Sequence, residues 1–216
     1  MTRMLGSTAT ERRLAETIDL YGFGDVDRSG KVRWLAAELG LEVNERRVGF
    51  GEHRAKPYTD LNPFAQVPTV EFRGETLIES TATCQVLAEA FDDPKLWIGP
   101  REPNRSKYLF WLAVFGENLE GRLVECAVSR AGILPPEYFT LHEKRIRPKL
   151  AAAAKMLPRE GYLCGERFTV ADVLAGYSLR LAVQCGLVER DAIEPYFGRL
   201  VARDAARASR IFASLQ

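Results

Sequence analysis

Residues 62–72 read Asn-Pro-Phe-Ala-Gln-Val-Pro-Thr-Val-Glu-Phe, and a little further on Glu79-Ser80 opens the apolar run 80–91. Pro68 has no backbone N–H, so it suits the first position of the strand predicted over 69–72, or a cis peptide bond. A cis bond turns the backbone of Val67 outward, where its N–H and C=O can pair with an extended ligand as one strand pairs with another. Gly74 and Glu75 predict a tight turn between 70–72 and 76–78, and the helical run 80–91 follows at once. Glu79 and Ser80 therefore sit where helix N–H groups lack partners, an end that attracts a carboxylate, while the Glu79 side chain can receive an ammonium. A small zwitterion, such as the α-amino acid end of a peptide, satisfies both. The plainer alternative makes Glu79 or Ser80 a helix cap and Pro68 an edge-strand residue. Their order and spacing favour the ligand-binding reading.

Upstream, residues 18–23 alternate and carry aromatic residues, as a strand does, and the Gly- and Asp-rich stretch 24–30 ends it. Val32, Leu35, Ala36 and Leu39 then fall on one face of a helix predicted over 31–39, which Gly40 stops. A second strand is expected over 43–48, with Asn44, Arg46 and Arg47 less apolar than a central strand wants. The order of strand, helix, strand, loop, proline, strand, turn, strand and helix predicts a parallel βαβ unit followed by a hairpin, hence a four-stranded mixed sheet.

Downstream, Pro94, Pro100 and Pro103 mark a linker, and beyond residue 105 every strong period is helical. Tyr108, Leu109, Leu112 and Phe115 share one run, 141–157 forms another and 170–181 a third. Thr169 and Asp172 have capping-box spacing, with Phe168 placed as a staple, and are read as folding residues. The expected organisation is a leader over 1–17, an α/β domain over 18–92, a linker over 93–103 and an all-helical bundle over 104–216.

The chain has 216 residues, enough for one large or two small domains, with 30 basic against 29 acidic side chains. That balance gives no global pull toward nucleic acid or anionic membrane. No apolar run approaches the roughly 20 residues that span a bilayer, and the amino terminus lacks the apolar core of a secretory signal. Cys84, Cys126, Cys164 and Cys185 are scattered without a CxxC pair, beside only His53 and His142. Zinc and disulfide frameworks are therefore not expected, and buried reduced thiols in a cytoplasmic protein are.

Gly51-Glu52-His53-Arg54, the stretch from Asn62 to Pro68, Glu79-Ser80, the linker, and Phe168-Thr169-Val170-Ala171-Asp172 occur in an order that resembles the soluble glutathione S-transferase family over nearly everything after the leader. The resemblance implies a thioredoxin-like amino-terminal domain holding glutathione as co-substrate, an all-helical carboxy-terminal domain, no metal, and a cytoplasmic homodimer active in detoxification. The second substrate, a small apolar electrophile, is implied to lie between the domains. By position, Val67 pairs its backbone with the cysteinyl part of glutathione, Pro68 is the cis proline, and Glu79 and Ser80 hold the γ-glutamyl end. Gln66 belongs to the same binding stretch, and His53 and Arg54 match the pair that approaches the glycine carboxylate.

Catalysis departs from the family pattern. Conjugation needs the thiol as thiolate, favoured by a donor near the end of the first strand or the start of the first helix. The serine or cysteine position falls on Val26 and the tyrosine position on Gly22. Tyr21, one residue away, points to the opposite face of its strand. A loop longer by one residue brings Asp27 into place, but a carboxylate beside a thiol opposes ionisation. Ser29, the only hydroxyl in this turn, is the catalytic candidate, with helix capping as its alternative role. Unpaired amides at that helix's start are a further source of thiolate stabilisation.

The reading is a weak glutathione transferase whose electrophile rests against Tyr108, Trp111 and Phe115, three residues that at helical spacing are more often core than pocket lining. The alternative class is a glutathione-binding or partner-binding protein that keeps the fold without the activator. Isomerase and disulfide-reductase chemistry rank lower, since the turn has one serine and no cysteine.

Overall fold

The computed structural model describes residues 16–24, 27–92 and 95–215. Most of the expected leader, together with Asp25, Val26, Asp93 and Pro94, lies outside the described residues. The chain divides into two compact units, Met1–Lys95 and Leu96–Gln216.

In the first unit, β1 (Thr17–Gly22), α1 (Ser29–Leu39), β2 (Glu42–Arg47), the short α2 (Tyr58–Leu61), β3 (Thr69–Phe72), β4 (Glu75–Leu77) and α3 (Ser80–Glu89) follow in order. The strands lie in the order β2-β1-β3-β4, with β1 parallel to β2 and antiparallel to β3. This is the expected thioredoxin-like mixed sheet. Ile18, Leu20, Val70 and Phe72 are buried, as are Val32, Leu35, Ala36 and Leu39 of α1 and Cys84, Leu87 and Ala88 of α3. The one-face spacing of α1 is what lets it pack beside α3. β2 is an edge strand and largely exposed, which accounts for its polar composition.

Several boundaries differ from expectation. Thr17 opens β1, one residue before its predicted start, and Glu16 pairs with Arg73 at 2.7 Å. The hairpin turn is Arg73-Gly74, one residue earlier than expected. Both have positive φ, 51° and 82°, the backbone of a two-residue turn that matches strand twist, and Glu75 is thereby freed to pair with Phe72. β2 likewise begins and ends one residue before its predicted bounds.

The second unit is helical. α4 (Arg105–Ala113) runs through a π-helical turn (Val114–Leu119) into α5 (Glu120–Arg130). It is followed by α6 (Pro136–Met156), α7 (Val170–Gln184), α8 (Tyr196–Val201) and α9 (Asp204–Ala208). α6 starts before the expected 141, with Pro136 in the helix's first turn, where no N–H is needed.

Asp172 anchors this unit. Its carboxylate, fully buried, accepts from the Thr169 amide at 2.9 Å and hydroxyl at 3.0 Å, from the Leu163 amide at 2.9 Å and from the Tyr196 phenol at 2.8 Å. The capping box read from the sequence is present. All four cysteines are free and buried. Burial pushes the Cys126 and Cys164 thiols up to about 11 and raises that of Cys185. Among the described residues no helix is long and apolar enough to cross a membrane, and no cluster of potential metal ligands occurs.

Candidate functional site

The Val67–Pro68 peptide bond is cis. Val67 packs with Val48 and Tyr58, and Tyr21 and Phe23 lean on the same cluster. Among the described residues no hydrogen bond uses the Val67 N–H or C=O. The register of the hairpin locates the rest of the site. The paired register ends at Val70 opposite Leu77, so Val67 and Pro68, just before β3, and Glu79 and Ser80, just after β4, lie toward the same end of the hairpin.

Glu79 precedes α3 with φ 63° and ψ 99°, a conformation costly for any residue with a side chain. Its carboxylate is exposed and Ser80 is buried, and neither side chain has a hydrogen-bond partner among the described residues. An exposed carboxylate beside a hydroxyl at a helix start offers complementary contacts to an ammonium and a carboxylate.

His53 and Arg54 were expected together but differ in setting. His53 is buried, edge-on to Phe23 at 5.0 Å and tilted against Phe50 at 5.7 Å. Its Nδ1 accepts from the Gly51 amide at 3.1 Å, which leaves Nε2 to carry the proton in the neutral ring. Phe23 touches both the Val67 cluster and His53, so the structure brings these two site residues to one aromatic patch. Arg54 is exposed, as is Gln66.

The catalytic candidates are placed differently. Ser29 is fully buried and its hydroxyl donates to the Gly24 carbonyl at 3.1 Å, so it holds the turn instead of facing solvent. Two residues before Ser29, Asp27 takes the first amide of α1: its carboxylate accepts from the Phe23 amide at 2.6 Å and the Ser29 amide at 2.5 Å. The next two amides of α1 are occupied as well, Gly30 N–H by the Asp27 carbonyl and Lys31 N–H by the Arg28 carbonyl. Gly22 has no room for a side chain, since a Cβ there would lie 2.8 Å from the Ser29 hydroxyl and 2.9 Å from its Cβ. Tyr21 donates to Glu71 at 2.6 Å, and that bond, with burial, pushes its phenol up to about 12. A phenol so held does not stabilise a thiolate. Val26 lies outside the described residues.

Tyr108, Trp111 and Phe115, expected as a wall for the electrophile, are all buried, with Trp111 stacked on Phe115 at 5.4 Å. They form the packed stripe of their helical run, and the exposed apolar side chains of α4 are Leu109 and Phe110.

Three site-supporting residues were not singled out from the sequence. Beneath the proline loop, Tyr58 donates to the Gln66 carbonyl at 2.6 Å and Asn62 Nδ2 donates to the same oxygen at 2.9 Å. Thr69 Oγ1 lies 2.8 Å from the Tyr58 hydroxyl and 3.2 Å from Asn62 Nδ2. Their only sequence signal is the clustering of side chains able to hydrogen-bond around an otherwise apolar loop.

Residues 16–89 match the family model of the glutathione S-transferase N-terminal domain. The chain is 28% identical over 147 residues to Glutathione S-transferase PARB of Nicotiana tabacum, covering 64% of this chain and 68% of that one. It is 28% identical over 168 residues to Glutathione S-transferase GstA of Escherichia coli O157:H7, covering 76% and 80%. Its fold is similar to that of glutathione transferase URE2P6 from Phanerochaete chrysosporium in complex with oxidized glutathione, at a TM-score of 0.80 and 23% identity over 94% of this chain and 99% of that one. It is also similar to Ure2p in complex with glutathione, at a TM-score of 0.77 and 19% identity over 90% and 98% of the two chains.

Proposed function

Because this chain belongs to the glutathione S-transferase family, we propose that it binds glutathione on its first unit and joins the glutathione thiolate sulfur, slowly, to a small apolar electrophile. One observation carries this reading: toward one end of the hairpin lie the backbone of Val67 and the side chains of Glu79 and Ser80, none of which has a hydrogen-bond partner among the described residues. Val67 pairs with the cysteinyl segment, as an added strand does. Glu79 takes the γ-glutamyl ammonium and Ser80, with the start of α3, its carboxylate. Gln66 borders this segment, and Arg54, beside buried His53, reaches the glycine carboxylate. No metal takes part.

Slow turnover follows from the hydrogen bonds around α1. The Ser29 hydroxyl, the first amides of α1 and the Tyr21 phenol all have other partners, so among the described residues little remains to favour a thiolate. The same facts support a second reading, a protein that binds glutathione without turning it over. We also assign the chain to a cytoplasmic homodimer, with Phe64, 65% exposed, as a contributor to the subunit contact.

Titration with glutathione, followed by melting temperature, tests the binding. A rise with concentration that is absent in Glu79→Gln is expected, and no rise in the unaltered protein refutes it. Measurable conjugation of a chlorinated aromatic separates the transferase from the pure binder.

A further inference from the structure

We propose that Tyr58, Asn62 and Thr69 form a single closed hydrogen-bond ring that aims the Val67 N–H at the ligand, which makes Tyr58 and Thr69 positioning residues of the glutathione site. The ring joins four groups in sequence: the Gln66 carbonyl, the Tyr58 hydroxyl, the Thr69 hydroxyl and Asn62 Nδ2, which returns to the Gln66 carbonyl. Tyr58, Asn62 and Thr69 are all buried.

Only one arrangement of hydrogens fits. A carbonyl accepts only, and an amide NH₂ donates only. Tyr58 must therefore donate to Gln66, which leaves Thr69 to donate to the Tyr58 oxygen and Asn62 to donate to both Thr69 and Gln66. Both lone pairs of the Gln66 oxygen are then taken. Asn62 is held in this orientation by its own Oδ1, which accepts from the Phe64 amide at 3.0 Å.

The consequence reaches the ligand through one rigid plane. The Gln66 carbonyl and the Val67 N–H belong to the same peptide unit, which is not among the cis bonds of the described residues. In a planar trans unit the two groups point in opposite directions. Fixing the carbonyl inward against Tyr58 and Asn62 fixes the N–H outward, away from the ring. A strand-like ligand needs that donor in a set direction, and a preset donor lowers the ordering cost of binding. The Tyr58 phenol, its ionisation pushed up by burial, stays a donor throughout the working pH range.

This inference rests on the glutathione reading, and two measurements separate them. In the ligand-free protein, the carbonyl ¹³C resonance of Gln66 reports the ring directly. It is expected to move in Tyr58→Phe and Thr69→Val and to stay in place in Thr69→Ser, which keeps the hydroxyl. With glutathione, calorimetry is expected to show affinity about tenfold weaker in Tyr58→Phe and in Thr69→Val, within about twofold of the unaltered protein in Thr69→Ser, and non-additive losses in the double variant. A Gln66 resonance unmoved in Tyr58→Phe overturns the ring. A moved resonance with unchanged glutathione affinity overturns its positioning role. Failure of the unaltered protein to bind glutathione, with the resonance shifts intact, overturns the glutathione reading and the ring's role in binding while upholding the ring itself.

Discussion

Tyr21 and Glu71 are bound across the β1–β3 pair, phenol to carboxylate at 2.6 Å, on the face of the sheet that also carries Asp19. The bond to Glu71 is the main cause of the raised phenol ionisation, about 12 against an ordinary 10, followed by burial. A group whose ionisation is raised on folding contributes stability that is complete below its unfolded value and is lost as pH climbs through the folded one. Stability is therefore expected to decline between about pH 10 and 12, with a shallower decline in Tyr21→Phe. Denaturant melts at stepped pH check this, and identical slopes in both proteins contradict it.

Asp172→Ala removes the acceptor for two amides, a hydroxyl and the Tyr196 phenol, all buried. Each orphaned donor keeps its desolvation cost, so a loss of about 3–5 kcal/mol is expected. Asp172→Asn, which retains one accepting oxygen, is expected to fall between. Urea unfolding measures both, and a loss under about 1 kcal/mol would show that the network adds little.

Glu79 holds a conformation that costs a residue with a side chain about 1–3 kcal/mol. Glycine adopts it freely, at the expense of about 1 kcal/mol of extra unfolded-state freedom. Glu79→Gly is expected to melt at or above the temperature of the unaltered protein and to lose its response to glutathione. Melting curves with and without ligand decide it, and a clear drop in stability of the ligand-free variant is the contrary result.

Ser29→Ala is expected to lower stability by about 1 kcal/mol, since the Gly24 carbonyl loses its hydroxyl donor. Conjugation rate at saturating glutathione is expected to change less than tenfold. A larger selective fall in rate, with melting temperature unchanged, would restore Ser29 to a catalytic role.

The features legible in the sequence were those written in local chemistry. Alternation over 18–23, the one-face spacing of Val32, Leu35, Ala36 and Leu39, and the Thr169–Asp172 cap each lie within a few neighbouring residues, where period and hydrogen bonding act directly. Features made by chain reversal were not legible. Tyr58 lies in a helix of one turn, too short for any period, and meets Thr69 only after the loop has folded back. His53 reads as a solvated residue until Phe23 and Phe50 arrive from either side. The stripe of Tyr108, Trp111 and Phe115 shows why an aromatic run at helical spacing cannot by itself be told apart as pocket or core. Periodicity locates the buried face and does not reveal what buries it.

The close approach of Gly22 to Ser29 couples two positions that lie apart along the chain. A phenol or hydroxymethyl group grafted at the strand's end has nowhere to go until the serine is trimmed, and trimming it unfastens the turn that shapes the same corner. A route, natural or engineered, that places an activating group at position 22 must therefore change both residues in concert and supply the turn with a replacement clasp.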